Sequence, residues 1–394
     1  MKMNLISNFS GAGLLDSGLI DAGNNILCQC EIDDKALEVL RRTFSAIPKH
    51  TNILTLSKAV YQSYGIDTEK CAFVGGFPCQ IHSKANKYRD ILPESKLLYK
   101  LVDLCDECKP IYLLAENVEG CTTDPKGLIW LTSNMESIGY RGNIIMFPAK
   151  ILGAPHKRLR MFALFTRDTV VPANEEQSAY IENFKNQRIP MEVTPGIWHG
   201  RFINNPDLDI EIIRKGKHYK PFVDALQMIG NAVVYDVALF IGKSIKMFHD
   251  YFYDSDEGQE LKKVRHSSNS PIDLGFYWRY MCIASLSDIA TKLGYKLNYN
   301  ESIVNNKFTL SELTCSSNDS FIKNYETPLA SDGKIKHQEH TKVYRRLNPN
   351  DKDSSIWVSP CFNAWLMGMT ARPDLLKNVW EVSGIPLSDL LKII

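Results

Sequence analysis

The chain has 394 residues, 44% hydrophobic and 23% charged, with a formal net charge of +1. This is an ordinary globular composition, and the length suggests two or three domains. The near-zero charge excludes a global basic signature, so any nucleic-acid surface must be local. No apolar run approaches the ~18 residues a membrane span needs. The start, Met1-Lys2-Met3-Asn4, leads straight into Leu5–Phe9 with no apolar leader and small-residue cleavage site. A cytosolic or nucleoid-associated protein is expected, and its ten cysteines are expected to be mostly free thiols.

Taken in order, residues 4–9 read as a strand and 13–22 as a helix, then 26–30 as a strand and 33–44 as a helix. A short apolar run, Cys71–Val74, predicts a buried strand, and residues 94–109 a helix with Cys105 and Cys108 on its apolar face. Both are expected in the core rather than on a metal, as are Cys28 and Cys30; no metal site is expected. Residues 111–115 read as a strand, 126–138 as a helix, and 141–147 and 160–166 as further strands. Alternating strands and helices imply a parallel sheet covered on both faces. Residues 167–221 lose this rhythm and read as loops. Residues 225–248 read as one helix. Residues 251–394 look like a separate unit, polar through about 345 and then apolar and Trp-containing.

Four sites carry chemistry when read together. Phe9-Ser10-Gly11-Ala12-Gly13 joins the first strand to the first helix, where glycines and a helix N-terminus let a ligand approach the backbone. Alone it equally fits a tight turn. Glu31, twenty residues on at the end of the second strand, is placed to hold ribose hydroxyls. The missing third glycine argues against a pyrophosphate-bearing dinucleotide. Next comes Gly75-Gly76-Phe77-Pro78-Cys79-Gln80, where Cys79 stands on the turn beyond a strand and suits a nucleophile as well as a buried thiol. Glu116 follows the strand 111–115 and suits proton transfer or a helix cap. Arg158 and Arg160 alternate, share one strand face, and suit a phosphate or a carbonyl oxygen.

In this order and spacing the motifs resemble the DNA (cytosine-5) methyltransferase family. Gln227-Met228-Ile229-Gly230-Asn231-Ala232-Val233 is similar to its late Gly-Asn motif. The likeness covers residues 4–166 and 224–248. It implies a doubly wound, mostly parallel Rossmann-like sheet of the S-adenosylmethionine-dependent methyltransferase type, with a smaller target-recognition domain. The implied division is a catalytic domain of residues 1–166 and 222–250, a loop-rich insert at 167–221, and a recognition region at 251–394. The resemblance gives Cys79 the nucleophile's role at carbon 6 of a flipped cytosine, Glu116 the ring nitrogen and amine, and Arg160 the base carbonyl. Arg158 would support the site or a phosphate. Phe9, Gly11 and Gly13 would line the cofactor pocket, Glu31 would take the ribose, Ile32 and Asn52 the adenine, Pro78 the cofactor edge and Asn231 the methionine end.

The implied partners are S-adenosyl-L-methionine and double-stranded DNA, with a cognate restriction endonuclease as a functional partner, no membrane, and action as a monomer. The sequence departs from the family at Ile32, usually Trp, at Asn52, usually an acid, and at His156, usually Gln. The order is also unusual. Arg346-Leu347-Asn348-Pro349 and Phe362–Met369 resemble a segment that normally precedes the Gly-Asn motif. This suggests a rearranged chain in which the basic run Lys334–Arg346 contacts phosphate. A tRNA cytosine-5 methyltransferase and a catalytically silent DNA-binding homologue are the alternatives.

Overall fold

The computed structural model describes residues 2–78, 95–154, 156–170, 174–193, 220–263, 272–304, 308–316, 364 and 367–385. The strands expected from apolar runs form as β1 (Asn4–Asn8), β2 (Asn25–Cys30), β4 (Ala72–Gly76), β5 (Tyr112–Val118), β6 (Arg141–Pro148) and β7 (Leu159–Thr166). A two-residue β3 (Lys49–His50) extends one edge. The helices between them are α1 (Leu14–Asp21), α2 (Asp34–Thr43), α3 (Lys58–Ser63), α4 (Ser95–Cys108), α5 (Gly120–Thr123) and α6 (Trp130–Ser137). Local caps set their starts: the Asp33 carboxylate accepts from the Lys35 and Ala36 amides at α2, and Ser57 accepts from Val60 at α3.

The chain continues through β8 (Thr169–Val170), α7 (Glu175–Lys185), α8 (Lys220–Asn231), α9 (Tyr235–His249), α10 (Asp256–Lys263), β9 (Ile272–Asp273), α11 (Leu274–Lys292), β10 (Lys296–Val304), β11 (Phe308–Ser316) and α12 (Pro373–Ser383). The main sheet has the order β10-β11-β6-β7-β5-β4-β1-β2-β3. β2, β1, β4 and β5 are parallel, and β7 is inserted antiparallel between β5 and β6. From β1 the winding goes one way to β2 and β3 and the other way to β4 and β5. The β1/β4 boundary is therefore the topological switch point, outside whose carboxyl ends ligands bind in such sheets.

Helices cover both faces. One core joins α1, α8, α9, α11 and α12 to residues such as Leu5, Val74, Leu114 and Leu164. The other joins α3, α4 and α6 to Ile6, Phe73, Leu113 and Ala163. The alternation of neighbouring residues between the two cores follows the two-residue period of a strand. α9 lies tight on α1, because a Cβ at Gly18 would come within 2.5 Å of the Ala238 methyl carbon and one at Gly242 within 2.7 Å of the Ala22 methyl carbon.

Several expectations are corrected. β5 runs on to Val118, so Glu116 sits within a strand and not on a helix cap. The helix expected over 225–248 is two, α8 and α9, parted at residues 232–234. Residues 167–221 are not all loop, since α7 forms with Asn174 as its cap. Nor is 251–394 a separate unit where it is described. β11 pairs parallel with β6, α11 buries Trp278 in the first core, and α12 buries Trp380 there. Val223–Asp254 has the length and composition of a membrane span, although its apolar window is 78% buried within the fold, as for a core helix.

Candidate active site at the carboxyl edge of the sheet

β1 ends in a sharp turn. Phe9 has φ +60° and Gly11 φ +56°, the left-handed region that glycine tolerates and phenylalanine rarely adopts. Among the described residues nothing lies within 4 Å of a Cβ placed on Gly11. Gly13 is needed for packing, because a Cβ there would meet the Phe44 ring at 2.6 Å. The Glu31 carboxylate closes the turn. It accepts from Gly11 N at 2.7 Å, Ile32 N at 2.9 Å and Asp33 N at 2.8 Å. Burial raises its pKa and these three bonds oppose the rise. A carboxylate offers about four lone-pair positions, so one remains for a hydroxyl.

Next to Glu31 in the chain, Ile32 is 69% exposed, and Leu54 is 47% exposed. Asn52 also has a structural part. Its Oδ1 accepts from Leu54 N at 3.0 Å and caps a short 3-10 turn, which leaves one lone pair for a ligand amine.

The second half of the site lies one to three strands from β1, on β4, β5 and β7. Glu116 pairs in register with Gly76 of β4 and Phe162 of β7, and Val118 with Arg160. The Arg160 Nε meets the Glu116 Oε1 at 3.1 Å, with the two side chains only 15% and 12% exposed. Burial raises the Glu116 pKa, opposed first by Arg160 and then by Arg158. Gly76 makes room for the pair: a Cβ there would stand 2.6 Å from the Glu116 Oε2. Gly75 lets β4 approach β1, since its Cβ would fall 2.0 Å from the Asn8 carbonyl oxygen.

Arg158 is not on the surface. It is 2% exposed and its Nη2 donates to the carbonyls of Gly230, at 2.8 Å, and Ala232. The phosphate role allowed for it is corrected, because a buried guanidinium spent on backbone carbonyls cannot meet a phosphate. Asn231 lies between those carbonyls and is exposed. His156 is fully buried.

Cys79 lies outside the described residues, but what leads to it does not. Phe77 is 3% exposed and its carbonyl accepts from the Asn117 Nδ2 at 3.1 Å, and Pro78 is half-buried. Asn117 stands in the Glu116-Asn117-Val118 run that follows the strand 111–115, but nothing in the sequence assigns it a role of its own. The strand period turns it to the face opposite Glu116. Also unforeseen is a buried network under the glycine turn. The Ser7 hydroxyl and the Gln29 amide both donate to Asp16, each at 2.6 Å, and the Ser10 hydroxyl donates to Ser7 at 2.9 Å. Burial pushes Asp16 up to about 6. Cys28, Cys30, Cys71, Cys105 and Cys108 are buried as expected, and burial pushes each of these thiols up, away from the thiolate a nucleophile needs.

The sheet order, with the glycine turn and its carboxylate at the switch point, defines a Rossmann-like fold of the S-adenosylmethionine-dependent methyltransferase type. Residues 3–198 match the family model described as C-5 cytosine-specific DNA methylase, and this part of the chain is of that family. It is 30% identical over 194 residues to the Type II methyltransferase M.FnuDI of Fusobacterium nucleatum, covering 46% of this chain and 54% of that protein. It is 31% identical over 172 residues to M.MthTI of Methanothermobacter thermautotrophicus, covering 43% and 50%. It is 28% identical over 185 residues to M.NgoPII of Neisseria gonorrhoeae, covering 46% and 53%. The chain thus spans about half the length of the curated relatives it matches.

Proposed function

We propose that the protein is a DNA (cytosine-5) methyltransferase that adds Cys79 to carbon 6 of a flipped cytosine. The observation that carries this is the buried Glu116–Arg160 pair, set over Gly76 at the edge that also holds the Glu31 cradle. The cradle fits S-adenosyl-L-methionine. Glu31 keeps a free lone pair for a ribose hydroxyl, Ile32 offers an apolar surface to adenine, and Gly11 leaves the backbone open. Phe9, Gly13, Asn52, Pro78 and Asn231 complete the residues assigned to it. The bound cofactor supplies an electrophilic methyl group.

The remaining chemistry belongs to the chain and the base. The base leaves the stack at a cost of a few kcal/mol. Glu116, kept protonated more readily by burial, donates to ring nitrogen 3 and accepts from the exocyclic amine, while Arg160 holds the carbonyl oxygen. The Cys79 thiolate adds to carbon 6 as nitrogen 3 takes the proton, and carbon 5 becomes enamine-like and nucleophilic. After carbon 5 is methylated, its proton passes to solvent, the carbon 6–sulfur bond breaks, the thiolate leaves and nitrogen 3 returns its proton to the Glu116 carboxylate.

Target recognition is assigned to residues 317–363 and 194–219, which lie outside the described residues. β11 runs parallel to β6 and ends at Ser316 toward the carboxyl edge. The chain is next described at Ala364 and Met367, whose carbonyl accepts from Tyr235 N at 3.0 Å just past the Gly-Asn motif. The basic run Lys334–Arg346 lies between these two points. The names of the relatives support a role in restriction–modification, with a cognate endonuclease as functional partner. We assign it a cytoplasmic site and action as a monomer on duplex DNA.

The test is transfer of tritium from S-adenosyl-[methyl-3H]-methionine to unmethylated duplex DNA and, in parallel, to tRNA, with bisulfite sequencing of the product. Label on cytosine in DNA at a fixed sequence is expected. Label on tRNA alone, or on neither, contradicts the reading.

A further inference from the structure

Resting on that reading, we propose that Arg158 is a positioning residue that clasps the Gly230–Ala232 turn to the arginine strand and so couples cofactor seating to the cytosine pocket. The turn is the end of α8. The last carbonyls of a helix have no intrahelical partner, and that end carries the negative pole of the helix dipole. The Arg158 Nη2 donates to two of these carbonyls, those of Gly230 at 2.8 Å and of Ala232.

Arg158 has φ +29°, a conformation rare for a long side chain. The kink is held from the turn just past β6, where Ala149 N donates to the Lys157 carbonyl at 2.9 Å. Strained backbone kept in a buried, hydrogen-bonded place points to a role. Two residues later Arg160 grips Glu116. The other end of α8 is fastened to the cofactor side: Asp224 pairs with Lys35 of α2, two residues past the cap beside Glu31, and with Lys220 at 2.9 Å. α8 is thus a strut from the ribose side to the base side. Asn231, exposed at its end, is aimed by the clasp.

A lysine would keep the charge but not the reach of the planar fork. The experiment titrates S-adenosyl-L-homocysteine by calorimetry into the full chain and its Arg158→Ala, Arg158→Lys, Asn231→Ala and Arg158→Ala/Asn231→Ala variants, with Tm recorded for each. Arg158→Ala and Asn231→Ala should each weaken binding about tenfold. The double variant should be no weaker than the weaker single, and Arg158→Lys should lie between. A merely structural arginine would lower Tm while the two affinity losses multiplied. That product, or unchanged affinity in Arg158→Ala, overturns the clasp. If Arg158→Ala does not fold, the same cycle is run with Arg158→Lys. Failure of the wild-type chain to bind would instead overturn the cofactor reading and the clasp with it.

Discussion

Residues 2–170 and residues 272–385 build one sheet in two different ways. From β1 to β5 the first part lays each new strand beside an earlier one, with helices on both faces, so the inner strands are buried on both sides and read as apolar runs. The second part adds an edge hairpin, β10–β11, whose outer strand is mostly exposed and reads Lys-Leu-Asn-Tyr-Asn-Glu-Ser-Ile-Val. Such a strand carries no apolar run to betray it, although its hairpin partner β11 joins the sheet, pairing Thr309–Glu312 with Asn143–Met146 of β6. The chemistry is assigned to the first part, while the second both completes the core and frames the stretch assigned to DNA. Polarity in the sequence marks exposure of an edge, not independence of a domain.

This contrast can be broken at several places. Cys79→Ser should lower methylation by at least about 10³-fold while leaving S-adenosylhomocysteine affinity intact by calorimetry. Glu116→Gln should lower it by about 10²–10⁴-fold, again without loss of cofactor binding. If either variant retained normal rates, the chemistry would not reside in the first part.

Trp278→Ala should destabilise the whole protein by about 3–5 kcal/mol in denaturant unfolding, because Trp278 is fully buried and its Nε1 donates to Ser244 at 2.9 Å. A loss confined to a separate transition would restore the two-domain reading. Replacing residues 318–362 by a flexible Gly/Ser linker is the sharper cut, because deletion from 251 onward would also remove the buried Trp278 and Trp380. The excised protein should bind S-adenosylhomocysteine normally and lose sequence-specific methylation.

A smaller effect is expected at Asp16. Its carboxyl group is raised from 3.8 to about 6 in the fold, so folding favours the protonated form. Stability from this group is full below about pH 4 and is lost as pH rises through about 6, by a few kcal/mol at most. Asp16→Asn should flatten that slope in Tm measured from pH 4 to 7. The variant can keep its bonds, since the Gln29 Oε1 has no partner and an amide flip would let it accept from the new Nδ2. The smallest change expected is a gain: Ile32→Trp should tighten S-adenosylhomocysteine by a few-fold, since a larger ring covers more of a purine than the exposed isoleucine does.

Much of the first part was legible because strand and helix periods alternate there and because the site residues fall at strand ends. The positions of Glu31, Glu116 and Arg160 followed from that. Arg158 was misjudged because alternation in a sequence says which face a side chain takes, not whether a helix from seventy residues away will cover it. The break between α8 and α9 was hidden by apolar residues that continue at helical spacing through Val233 and Val234, both buried. Asp16 stands in the first turn of α1, and only the packing of β2 against β1 brings Gln29 to it.

The central claim is that Cys79 attacks carbon 6 of cytosine. Its most direct test is incubation of the full chain with S-adenosylmethionine and long duplex DNA substituted with 5-fluorocytosine, followed by denaturing electrophoresis and mass spectrometry of the protein–DNA adduct. Fluorine cannot leave carbon 5 as a proton does, so the covalent complex should persist, with the cross-linked peptide containing Cys79, and should be absent from Cys79→Ser. Methylation of ordinary DNA without any such adduct, or an adduct on another residue, would contradict the mechanism.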